Sequence, residues 1–273
     1  MQIPQIIYGT AWKKDLTESL VEKAFQAGYR AIDTANQPKH YSEEGVGRAV
    51  KKFLLNHPRE SLFLQTKFTS INGQDHRIPY DRSRLVSDQV IESFESSLSH
   101  LGVTHLDSLL LHGPYHHPGL GPEDYEVWRS LENLYEQGRV KAIGISNVNA
   151  RQLGELVAFT KVRPHFVQNR VYAITHWDKG VRTLCQKQGI HYQGFSLLTA
   201  NPDIVASGTV TNIARRAQAT PAQTIFSFAK RIGIIPLTGT TNPLHMAEDL
   251  DYMRVELSDI DVESILALVA GYQ

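Results

Sequence analysis

The chain has one cysteine, Cys185, so it can form no intramolecular disulfide. It has no excess of either charge, with 28 Lys+Arg against 28 Asp+Glu. That balance excludes nucleic acid and anionic membranes as its main partners. No apolar run approaches the roughly 18 residues of a membrane span, and no basic then apolar leader follows Met1. A cytoplasmic location is therefore expected. Signature motifs are also missing: no GxGxxG after a strand, no GxxxxGK[ST], no HExxH and no GxSxG. No early HxH pair is present either, and the adjacent His116 and His117 make a poor chelate, so no metal is expected.

What is present suits one large barrel or two small domains: 273 residues, 41% of them hydrophobic, with no break in composition. Short apolar runs alternate with segments of helical spacing. The runs are Ile3–Tyr8, Tyr29–Ile32, Leu62–Lys67, Leu106–Leu111, Val140–Ile145, Phe166-Val167, Ile190–Phe195 and Ile234–Pro236. Helices are expected over Leu16–Ala27, Glu43–Leu55, Arg84–Leu101, Glu123–Gln137, residues 149–160, His176–Gln188, residues 208–218 and 221–231, Pro243–Leu250 and Ser258–Leu268. Eight such alternations predict a single (β/α)8 barrel domain over residues 1–273. A doubly wound open sheet competes less well, because polar residues end every strand instead of gathering at one crossover.

The most informative stretch is Gly28–Gly47, GYRAIDTANQPKHYSEEGVG. A short strand there ends on Asp33, a polar loop carries Tyr41, and Ser42-Glu43-Glu44 reads as a capped helix start. Two more strands end on Lys67 and His112. Residues at these ends sit on the catalytic face of a barrel. A carboxylate and an ammonium would pair there, and a cation near a phenol is expected to lower its pKa. Such a phenol can protonate a carbonyl oxygen as hydride reaches the carbon, while an imidazole holds the same oxygen. Singly, Asp33 reads equally as a loop carboxylate, Lys67 as a solvated lysine and His112 as a core histidine. The four together read as chemistry.

With these residues in place, the chain resembles the aldo-keto reductases along nearly its whole length. The matching runs are GYRAIDTA, YSEEGVG, LFLQTKF, LDSLLLHGP, VKAIGISN, VQN, GFS and IIPLTGTTNPLHMAEDL. The resemblance implies a (β/α)8 barrel that binds a nicotinamide cofactor and reduces small carbonyl substrates. By the same resemblance Tyr41 is the proton donor, Lys67 and Asp33 tune it, and His112 orients the carbonyl. Ser146, Asn147 and Gln168 match the residues that hold the nicotinamide carboxamide. Phe195 stands where the family usually stacks a tyrosine on the ring, and Ser196 and Leu198 line the pyrophosphate.

Three departures stand out. Tyr41 follows Asp33 by eight residues, where the family has five, so Asn36–His40 must bulge, and His40 competes weakly for the role. The family's cations for a 2′-phosphate are replaced by Leu237, Thr238 and His245, although Asn242 and Pro243 open a helix that can hold a phosphate. NADPH is the expected cofactor, with NADH still open. The tail after the last helix is short, which leaves Thr69–Ser83 and Tyr115–Leu120 as expected pocket walls. A cofactor-binding scaffold with little turnover and a phosphate-binding isomerase are the other readings, and a monomer is expected.

Overall fold

Eight parallel strands close into a barrel in chain order in the computed structural model, which describes residues 2–269. They are β1 Ile7–Gly9, β2 Ala31–Asp33, β3 Phe63–Phe68, β4 Ser108–Leu111, β5 Ile143–Ser146, β6 Phe166–Arg170, β7 His191–Phe195 and β8 Ile234–Thr238. The seam is β1 on β8, with Ile7 opposite Leu237, and this closure rules out an open doubly wound sheet. The helices are α1 Thr17–Ala27, α2 Glu43–Phe53, α3 Val86–Leu101, α4 Pro122–Glu136, α5 Ala150–Phe159 and α6 Lys179–Gln188. They continue with α7 Pro202–Val205, α8 Gly208–Arg216, α9 Pro221–Arg231, α10 Pro243–Leu250 and α11 Asp259–Ala267. Among the described residues no helix is long and apolar enough to cross a membrane.

The two-residue period of the strands decides what the barrel contains. On β3, Leu64 and Phe68 join the core between strands and helices, whereas Phe63 belongs to a small cluster inside the barrel with Ile7, Ala31, Leu110, Phe166 and Leu237. Two residues above Phe63 stands Gln65, and two above that Lys67. The same climb runs from Ala31 to Asp33, Phe166 to Gln168 and Leu110 to His112. The interior is thus apolar at the N-terminal end of the strands and polar at the C-terminal end.

Local chemistry fixes the helix ends. Gly28 stops α1 at φ 117°, and the Ser42 hydroxyl accepts from Gly45 N at 3.2 Å to start α2. Asn149, Thr220 and Ser258 each close a capping box, with side chains accepting from the third helical residue. The acidic Glu43 opens α2 and is buried beneath α3, where Thr66, Ser97 and His100 bond its carboxylate.

Two expected elements differ. The first strand begins at Ile7, not Ile3, because only Ile7–Gly9 finds partners on β2 and β8. The helix expected from His176 begins at Lys179, because His176, Trp177 and Asp178 hold left-handed backbone that turns the chain first. Met1 and the tail end, residues 270–273, lie outside the described residues. His116 pairs with Glu123 at 2.7 Å, and His117 lies beside the Gln152 amide.

Where α2 crosses α3, Gly47 sets the approach: a Cβ there would lie 1.9 Å from the His100 carbonyl oxygen. Alanine in a helix normally gains about 1 kcal/mol over glycine. Here the backbone overlap outweighs that gain, and Gly47→Ala should lose about 1–3 kcal/mol in urea unfolding. A stabilised variant would contradict the packing.

Candidate active site

At the C-terminal end of the strands lies a cavity of about 790 Å³. Eleven of the twelve residues singled out from sequence line it: Asp33, Tyr41, His112, Ser146, Asn147, Gln168, Phe195, Ser196, Leu198, Thr238 and His245. The twelfth, Lys67, lies beneath it and is 1% exposed.

The Lys67 ammonium grips Asp33 through both oxygens at 2.8 and 2.7 Å and donates to the Thr34 carbonyl at 2.8 Å. Asp33 is itself 3% exposed. Its Oδ1 accepts two more bonds, from Gln65 at 2.7 Å and Gln168 at 3.0 Å. Gln193 ties these amides together: its Oε1 accepts from Gln65 at 2.8 Å and Gln168 at 2.9 Å, and its Nε2 donates to Gln65 at 3.1 Å. Burial drives the Lys67 pKa down, and Asp33 pulls it back. Sequence reading missed Gln65 and Gln193, although the signal was there: a glutamine in the middle of an apolar strand run, LFLQTKF and HYQGF.

Tyr41 reaches the pair despite its longer tether. The extra residues fold as a turn in which His40 N and Tyr41 N both donate to Gln37 O at 3.0 Å. Trp12 N then pins the turn through His40 O at 2.7 Å. The Tyr41 ring lies with its centroid 5.4 Å from Lys67 Nζ and 5.8 Å from the His112 ring. The phenol pKa is raised, first by burial and then by the Asp33 charge. The sequence expectation that a cation would lower it is corrected. Asp33 neutralises Lys67, so loss of solvent decides the sign.

His112 is held neutral. Burial pushes its pKa well below the ordinary value, and Lys67 and His40 push the same way. Its Nδ1 lies 2.7 Å from the Thr69 hydroxyl. With Thr69 donating, the proton sits on Nε2 and that nitrogen becomes a donor.

The nicotinamide-side residues expected from sequence form one array. Ser146 Oγ donates to the Gln168 carbonyl at 2.6 Å, and Asn147 Nδ2 donates to the His112 carbonyl at 2.8 Å and to Ser146 Oγ at 3.2 Å. With their donors spent, Asn147 Oδ1 and Gln168 Oε1 are acceptors without a partner among the described residues. Phe195 lines the cavity, and the Arg170 guanidinium stands over its ring, 5.7 Å from the centre. Trp12, Asn147 and Ser196, all lining the cavity, take left-handed backbone at φ 64°, 55° and 58°. Such strain persists where surrounding structure holds it, as at functional sites.

Removing Asp33 would leave a buried ammonium without its counter-charge. Asp33→Asn should lower unfolding free energy by about 3–5 kcal/mol, and adding Lys67→Met should recover much of it. Equal stability of the double and single variants in urea titration would contradict the pairing.

A family model described as the aldo/keto reductase family matches residues 5–201. A glyoxal reductase of Bacillus subtilis is 31% identical, over 93% of this chain and 83% of that protein. An aldo-keto reductase from a Medee basin deep-sea metagenome library superposes with TM-score 0.85 at 28% identity, covering 100% of this chain and 94% of that one. A Bombyx mori aldo-keto reductase solved in complex with NADP superposes with TM-score 0.81 at 26% identity, covering 97% and 89%. From strand order to sequence match, the observations agree, and the chain belongs to the aldo/keto reductase family.

Proposed function

We propose that the protein reduces an aldehyde or ketone to an alcohol with a nicotinamide cofactor, Tyr41 supplying the proton. The whole barrel is read as one domain serving this site. One observation carries the reading: Asp33, Tyr41 and His112 line the same cavity as Thr238 and His245, with Lys67 paired to Asp33 beneath it.

The donor set fits the cofactor. Two free amide oxygens, on Asn147 and Gln168, suit the NH₂ of a carboxamide, which needs acceptors. Phe195 supplies the aromatic face for stacking. When bound, the reduced nicotinamide supplies the hydride. His112 Nε2–H holds the carbonyl oxygen and polarises it. Tyr41, kept in its protonated form by burial, passes its proton to that oxygen as negative charge develops there. Lys67 and Asp33 act from below. Their ion pair lies beneath the phenol and offers it no free hydrogen bond, since the ammonium already serves Asp33 and Thr34.

NADPH is the first choice of cofactor, supported by the NADP complex of the silkworm relative. Within the cavity a 2′-phosphate would meet His245, the Thr238–Thr240 segment and the start of α10, where Asn242 caps Leu244 N at 2.9 Å. Glu248 and Asp249 also line the cavity, and the Asp249 carboxyl is pushed up to about 6 by burial. These carboxylates favour a ribose with a free 2′-hydroxyl, which keeps NADH as the second candidate. The carbonyl reading draws further support from the relative named glyoxal reductase.

Tyr41→Phe should lower kcat for a good aldehyde by about 100-fold or more while NADPH and NADH bind as in the unaltered protein. The measurement is steady-state cofactor oxidation beside fluorescence titration with both nucleotides. Undiminished turnover would reject Tyr41 as the donor.

A further inference from the structure

The residues that lengthen the Asp33–Tyr41 loop build a second imidazole into the cavity wall. His40 lines the cavity beside Tyr41, and its ring packs on Trp12 at a centroid distance of 3.8 Å. Its hydrogen-bonding state follows from the neighbours. The Gln37 amide nitrogen donates to the Gly73 carbonyl at 2.6 Å, which fixes which way the amide points. Gln37 Oε1 therefore faces His40 Nδ1, 2.9 Å away, and an amide oxygen only accepts. Nδ1 carries the proton. Nε2 is left with a lone pair. That nitrogen has no partner among the described residues and is not sealed from the cavity or solvent. Burial and Lys39 lower the pKa of the ring against the pull of Asp75, so the neutral form prevails at pH 7.

The cavity therefore holds two imidazoles of opposite sense around Tyr41. His112 presents a donor and His40 an acceptor. A plain aldehyde uses the first and gives the second nothing, because it has no donor of its own. A carbonyl compound with a hydroxyl near the carbonyl satisfies both. We infer that His40, backed by Trp12 and oriented by Gln37, is a specificity-determining residue that accepts a hydrogen bond from a substrate hydroxyl close to the reacting carbonyl. The inference rests on the carbonyl-reductase reading above. It names a preferred substrate class, the hydroxy-carbonyl compounds, and assigns that preference to the inserted loop.

The test is a ratio, which cancels general damage to the site: kcat/KM for glyceraldehyde over kcat/KM for propanal, with the better nicotinamide cofactor. The ratio in the unaltered protein should be about ten, the worth of one neutral hydrogen bond to a group otherwise left unpaired. His40→Phe keeps an aromatic ring against Trp12 but removes the nitrogen, and should lower the ratio about fivefold or more. Gln37→Leu leaves His40 in place but frees its tautomer, and should lower the ratio about threefold. This second variant decides the matter should the first fail to fold. A ratio that stays within twofold in the variants overturns the role of His40 while leaving the reductase reading intact. No oxidation of NADPH or NADH by the unaltered protein with either aldehyde overturns both.

Discussion

The buried ion pair between Lys67 and Asp33 is the constraint on which the rest of the site hangs. An ammonium and a carboxylate removed from water cost several kcal/mol each, and their attraction repays this only when geometry is close and every remaining hydrogen bond is made. Both conditions hold. Asp33 takes both bonds from Lys67 and two more from glutamines, while Lys67 completes its set on the Thr34 carbonyl. Gln193 exists in this arrangement to satisfy the glutamines that satisfy Asp33. Four strands thus contribute to one polar plug that crosses the barrel above an apolar floor.

That plug explains the state of the groups above it. Because Asp33 cancels Lys67, the phenol of Tyr41 feels burial more than charge and keeps its proton. The same burial keeps His112 neutral. A protonated phenol and a neutral imidazole are the forms in which both can donate to one oxygen. The strained backbone at Trp12, Asn147 and Ser196 lies on the loops after β1, β5 and β7 and frames the cavity around this point.

The barrel was legible because its signals are local and repeated: eight apolar runs, each stopped by a polar residue, with capped helices between. The site was legible where strand ends carry unusual groups, as at Asp33, Lys67 and His112. The sign of the Tyr41 shift was not, since it depends on how completely one charge cancels another in three dimensions. The bulge at Asn36–His40 was expected from the spacing, but not the bonds that fold it back, which come from Gln37 within the loop and from Trp12 on another one. The role of Gln193 was hidden because its partners lie on β3 and β6, far away in the chain. Left-handed residues at 176–178 carried no glycine to mark them, which moved the start of α6.

Tyr41 holds its proton throughout the working pH range because a neutralised ion pair, not a free cation, lies beneath it. Carbon-13 NMR of protein labelled at tyrosine Cζ tests this directly, with the Tyr41 resonance identified by its loss in Tyr41→Phe. The ordinary tyrosine pKa is about 10. The Tyr41 signal should stay at its phenol position beyond pH 10 while exposed tyrosines titrate. Movement to the phenolate position with a midpoint below about pH 9 would contradict it.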